Sequence, residues 1–128
     1  VNGMTAAWIT QVSFNPTLII VSIALERYTH QLIQLSKIFA VNLLSSEQRN
    51  VAKYFGMKSG KNINKFQGVK YSTKKTGSPI LQDIYGYIDC KVLSGSRMGD
   101  HTVFTGQVLE SEVFSGKTPL IFKAKDFF

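Results

Sequence analysis

Apolar and polar positions along this chain alternate more often than they recur at helical spacing. Thr5 to Phe14 reads as a strand that turns at Asn15-Pro16-Thr17 into a second, more apolar strand, Leu18 to Leu25. Alternation puts Ala6 and Trp8 on one face of the first strand, and its small residues leave room for a flat group against the backbone. Thr29 reads as the N-cap of a short helix, His30 to Ser36, with Leu32, Ile33 and Leu35 toward the core. Phe39 to Leu44 is rich in β formers. Ser45-Ser46-Glu47-Gln48 is a capping box, opening a helix that carries Val51, Ala52 and Phe55 and stops at Gly56.

The polar, basic stretch from Met57 to Phe66 predicts an ordered loop, and Gly77-Ser78-Pro79 a turn. Gly86 to Leu93 and Thr102 to Phe114 read as strands joined by residues 94–100, and Leu120 to Lys123 closes the series. About six strands with two short helices, in a chain whose second half is nearly all β, predict a mainly β fold, an antiparallel barrel. With 128 residues, no internal repeat and no linker, residues 1–128 form a single domain.

Composition narrows the setting more than the chemistry. Hydrophobic residues make up 44% and charged residues 18%, as in ordinary globular proteins. No apolar run approaches the ~20 residues that span a bilayer, and the start lacks the layout of a secretory signal. A lone cysteine, Cys90, fits a reducing, cytoplasmic setting. The net charge of +7, with a dense basic stretch from Lys53 to Lys75, favours an anionic partner. Nucleic acid, a phosphorylated cofactor and a merely solvated basic face all satisfy that balance.

Several enzyme classes lack support. His30 and His101 are far apart and one cysteine cannot build a zinc site, so no metal site is assigned. No phosphate-cradling glycine pattern follows a strand. Cys90 lies mid-strand and reads as a small apolar core residue. Four Asp and four Glu form no motif, and no catalytic residue is assigned. Taken singly, Trp8 is an ordinary core aromatic, Thr29 a cap, Lys65 one lysine of a basic loop, His101 a strand-end residue and Asn2-Gly3 a turn.

Together these residues carry a resemblance. Asn2-Gly3-Met4-Thr5-Ala6-Ala7-Trp8, then Pro16 and an apolar strand, then Arg27-Tyr28-Thr29-His30, resembles the flavin reductase-like family, flavoredoxin-type members above all. Phe39-Ala40-Val41-Asn42-Leu43-Leu44 matches it too, as do Phe55-Gly56-Met57-Lys58-Ser59-Gly60 running to Asn64-Lys65-Phe66, and Gly99-Asp100-His101-Thr102 leading into Gly106. The resemblance covers nearly the whole chain. It implies a six-stranded Greek-key split β-barrel that binds FMN.

It also implies site residues. Asn2 and Trp8 would contact the flavin, and Met4, Thr5, Ala6 and Ala7 between them would offer backbone groups to its polar edge. Thr29, Lys65 and His101 fill the family's remaining contact positions, and Phe127 or Phe128 is a candidate for an aromatic near the ring. Physical chemistry adds that a helix start at Thr29 suits a phosphate, that Arg27 could pair with the same group, and that a lysine cation eases flavin reduction. Members usually carry twenty to thirty residues before the Asn-Gly-Met motif, including a first strand, so the resemblance implies an N-terminal strand that this sequence lacks and an open sheet edge.

Two functions follow: electron transfer in the manner of flavoredoxin, with a redox-protein partner, or reduction of flavin by NAD(P)H. A homodimer with flavin near its interface is implied as well. The contrasting reading is a small basic nucleic-acid-binding β-barrel without cofactor. Its weakness is that Tyr54, Phe55, Phe66 and Tyr71 are spread rather than arrayed for stacking, two of them expected to face the core.

Overall fold

Two long strands form the spine. The computed structural model describes residues 1–57, 60–61, 63–121 and 123. Within them the order is β1 (Ile9–Phe14), β2 (Thr17–Ala24), α1 (Tyr28–Ser36), β3 (Ile38–Leu43), α2 (Arg49–Met57), β4 (Tyr71–Thr73), β5 (Pro79–Leu81), β6 (Gly86–Met98) and β7 (His101–Val113). The 13-residue strands β6 and β7 make a hairpin that inserts between β2 and β3, giving a five-stranded antiparallel sheet of order β1-β2-β7-β6-β3. β4 and β5 pair separately as a two-stranded sheet.

β2, an apolar run in the sequence, is fully buried on one face only. Ile19, Val21 and Ile23 point to one face, where they meet Gly106, Phe104 and Thr102 of β7 in register. Phe39, Cys90 and Ile33 complete this core. Gly106 is required there by space: a Cβ would lie 2.6 Å from the Phe39 ring and 3.0 Å from Cys90 Cβ. α1 is fastened over the same core by buried His30, whose Nε2 lies 2.7 Å from Thr102 Oγ1; burial lowers the His30 pKa and favours the neutral ring. A second cluster, Ile80, Ile84 and Tyr87, packs under the small sheet. Buried Asp89 ties that sheet to β6 by accepting from the Thr76 N–H (2.9 Å) and hydroxyl (2.6 Å).

The mainly β, antiparallel architecture with two helices agrees with the sequence, and several boundaries differ for physical reasons. The first strand begins at Ile9, not Thr5, because the Thr5 hydroxyl donates to the Ala52 carbonyl and Lys65 holds the Gly3 carbonyl. These bonds tie Gly3 and Thr5 toward α2, and pairing with β2 starts where the Trp8 carbonyl accepts from Ser22 N–H. Arg27, not Thr29, is the N-cap of α1, with extended backbone and no side-chain cap bond. Thr29 lies inside the first turn, and its hydroxyl accepts from Asn2 Nδ2 at 2.8 Å instead.

The capping box is half made. Gln48 Oε1 accepts from Ser45 N–H at 2.9 Å, but buried Ser45 Oγ has no partner among the described residues, and α2 starts at Arg49 and runs through Met57 past Gly56. Residues 94–98 continue β6 rather than forming a loop, and the hairpin turns only at Gly99-Asp100. β4 and β5 escape the sequence pattern because each is three residues long. The closing strand expected at Leu120 to Lys123 is reduced to a Ser45–Pro119 bridge and one bond from Leu120 N–H to the Leu44 carbonyl, with Phe122 outside the described residues. β1 and β3 are the sheet edges, and the described residues form no closed barrel.

Candidate functional site

Residues 1–8 form an irregular ribbon with a polar anchorage at one end and an exposed aromatic at the other. At the polar end, a cleft of about 270 Å³ is lined by Asn2, Glu26, Arg27, Thr29, Gly60 and Lys65, among others. It lies between the start of α1, the end of α2 and the loop that carries Lys65. Thr29 and Asn2 reach it from two segments through their mutual hydrogen bond. Arg27 faces the last turn of α2, with long contacts of 3.4 and 3.5 Å to the Gly56 carbonyl.

Lys65 is the least expected of these residues. It is only 1% exposed, and its Nζ donates to the carbonyls of Gly3 (2.8 Å) and Phe55 (2.9 Å). An ammonium has three donors, so one remains for a ligand. Burial, with the nearby Arg27 charge acting in the same direction, pushes its pKa down to about 8. Two cations are thus held close enough to oppose each other, a strain that a bound anion relieves.

The other end of the ribbon is open. Ala6, Ala7 and Trp8 are exposed, and among the described residues the backbone N–H and C=O groups of Ala6 and Ala7 have no protein partner. Trp8 is 65% exposed, so it is not core. Its ring lies 4.8 Å from that of His101, centroid to centroid, tilted by 40°. The β6–β7 turn delivers His101 there, and His101 Nδ1 sits 2.8 Å from the Asp100 carboxylate. That contact holds the Asp100 carboxyl below its usual pKa.

The fold therefore gathers the sequence-predicted residues along one ribbon. Asn2, Arg27, Thr29 and Lys65 meet at the polar cleft, Trp8 and His101 meet at the far end, and Thr5, Ala6 and Ala7 join them. Met4 packs against the sheet core rather than standing free. Phe127 and Phe128 lie outside the described residues. Sequence reasoning missed a larger apolar cleft of about 750 Å³ that runs along β3, with Ile38, Val41, Leu43, Leu32 and Val51 in its walls. Asn2 and Thr29 line both clefts, so their hydrogen bond forms part of the wall between them. The signal for this was present in β3, an apolar strand placed at a sheet edge, but the strand order was not.

Residues outside the ribbon behave as packing. Cys90 is fully buried and its thiol is pushed up to about 12 by burial and by Asp89. Tyr54, Phe55, Phe66 and Tyr71, expected to be spread, form one run of tilted or edge-on ring contacts 5.2–5.3 Å apart, in which Phe55 and Phe66 are buried and offer no open face to a base. Among the described residues no helix is long and apolar enough to cross a membrane.

Comparison with known proteins identifies the lineage. The family model described as flavin reductase like domain matches residues 1–128. A flavin reductase of Pseudomonas putida is 34% identical over 121 residues, covering 94% of this chain and 69% of that protein. Diflavin flavoprotein A 1 of Synechocystis sp. is 34% identical over 112 residues, 87% of this chain but only 20% of that longer protein. Among solved structures, the Streptomyces globisporus NADH:FAD oxidoreductase superposes with a TM-score of 0.86 at 25% identity, over 92% of this chain and 71% of that one. An FMN-binding protein from Thermus thermophilus gives 0.81 at 29% identity, over 87% and 62%. Flavoredoxin from Methanosarcina acetivorans, at 20% identity and a TM-score of 0.82 over 88% of this chain and 61% of that one, shares the fold. The chain belongs to the flavin reductase-like family.

Proposed function

We propose that this domain binds FMN along the ribbon Asn2 to Trp8 and uses it to move electrons. The single observation that carries the reading is the ribbon's polarity: cations and hydroxyls at one end, an exposed aromatic pair at the other. Arg27, Thr29 and the spare donor of Lys65 would hold the phosphate, which offsets the opposition of the two cations. Asn2, Trp8 and His101 would contact the flavin, with unpaired backbone groups of Ala6 and Ala7 free for its polar edge. When bound, FMN supplies one- and two-electron transfer, and the protein supplies placement and tuning.

FMN is favoured over FAD because the polar cleft, about 270 Å³, suits a terminal phosphate better than a pyrophosphate that continues to adenosine. Trp8, the only tryptophan, gives the direct assay. Its emission should fall on titration with FMN, and fall less with FAD at equal concentration. Purified protein that is colourless and leaves Trp8 emission unchanged with either flavin would sink the proposal. NADH or NADPH oxidation with free flavin as acceptor would mark a reductase, and reduction only by another redox protein a carrier. A cytoplasmic homodimer is part of the same reading, and light scattering that gives a monomeric mass would count against the dimer.

A further inference from the structure

Gly60 is a glycine for a reason that its backbone does not supply. Gly68, Gly77, Gly99 and Gly116 have positive φ between 63° and 86°, and a Cβ on any of them would meet open space. Gly60 is the reverse case: its φ lies outside that region, but a Cβ would sit 2.2 Å from Asn2 Oδ1, 2.6 Å from Cγ and 2.9 Å from Nδ2. Its three nearest neighbours thus all belong to the carboxamide whose Nδ2 donates to Thr29. An ordinary backbone does not demand glycine here; the Asn2 side chain does.

We infer that Gly60 is a positioning residue for the flavin site: its missing side chain seats the Asn2 carboxamide against the loop and keeps it bonded to Thr29 at the junction of the two clefts. Any side chain at position 60 must displace Asn2, because both cannot occupy the same space. Asn2 is the end of a short flexible side chain, so the displacement costs little stability. What is lost is placement. The inference rests on the flavin reading above and adds a residue that the Asn-Gly-Met motif does not contain.

The test is a cycle of Gly60→Ala and Asn2→Ala, alone and combined, followed by FMN titration and thermal unfolding. Gly60→Ala should weaken FMN binding about tenfold, the weight of one lost hydrogen bond, with little change in Tm. Asn2→Ala should weaken it similarly, and adding Gly60→Ala to Asn2→Ala should cost nothing more, since the group to be displaced is gone. Equal losses from Gly60→Ala in both backgrounds would overturn the inference and assign Gly60 a loop-folding role. A second readout needs no flavin: the Asn2 side-chain amide resonances of the unliganded protein should shift in Gly60→Ala and in Thr29→Val. If wild type binds no flavin, the functional reading fails but these resonances still decide the role of Gly60; unshifted resonances in Gly60→Ala would overturn it.

Discussion

The inner face of the sheet and the N-terminal ribbon meet in the same molecule but are held by different forces. The first is apolar and interlocked: Phe39 lies over Gly106, and Cys90 sits beneath with no exposed surface. The second is irregular and tied by single polar bonds, Asn2 to Thr29, Lys65 to Gly3 and Thr5 to Ala52. Packing resists any change of volume, whereas a tethered ribbon tolerates such change and loses position. On the proposed reading, stability and binding rest on largely separate residues, with Lys65 shared between them, which makes the two separable by mutation.

The largest expected effect is on the packed side. Gly106→Ala forces a methyl into the Phe39 ring and should destabilise by about 3 kcal/mol in urea unfolding, with flavin affinity unchanged in the folded fraction. A loss under about 1 kcal/mol would show that this face is looser than its contacts imply.

Lys65→Met should break the separation, because Lys65 serves both regions. It leaves the Gly3 and Phe55 carbonyls without their donor and should cost about 2 kcal/mol as well as weakening FMN binding. Its sign with pH is fixed by the pKa near 8 against an ordinary value near 10.5. The folded state holds fewer protons than the unfolded one between those values, so wild-type stability rises relative to Lys65→Met from pH 8 to 10.5. Unfolding curves of the pair at pH 7 and pH 10 measure this, and an unchanged difference would contradict it. FMN affinity should move the other way, falling above pH 8 as the cation discharges.

Trp8→Ala tests the open end of the ribbon. With Trp8 65% exposed, stability should stay within about 0.5 kcal/mol while FMN affinity, followed by flavin fluorescence, drops about tenfold. The smallest effect belongs to Cys90, whose buried thiol should ignore a disulfide reagent at pH 8 until the protein is unfolded. Labelling of the native protein would mean that the core opens readily.

Much of this was legible in advance, and several of the misses share a cause. The apolar run placed β2, and segments rich in β formers placed most of β6 and β7, since residue type is local information; burial itself alternates only in β2 and the first half of β7. The motif residues Asn2, Trp8, Thr29, Lys65 and His101 stand out in the sequence as a set, and the fold brings them to the two ends of one ribbon. Local chemistry misled where a distant partner competed for the same group. Thr29 looks like a cap, but Asn2, far away in sequence, takes its hydroxyl. Thr5 looks like the start of a strand, but the Ala52 carbonyl takes its hydroxyl. Ser45 is a separate case: Gln48 makes its half of the capping box, while Ser45 Oγ has no partner among the described residues.

The sequence by itself determined the mainly β class, the lone buried cysteine, the basic balance and the motifs that mark the lineage, because each is a property of residue type and short-range spacing. Only the tertiary structure decided what those residues do to each other. It put Lys65 under Gly3 with a depressed pKa, turned Trp8 outward against His101, and set Gly60 where a side chain would evict Asn2. Burial, charge proximity and excluded volume act through space between residues that the chain keeps apart, and no local pattern contains them.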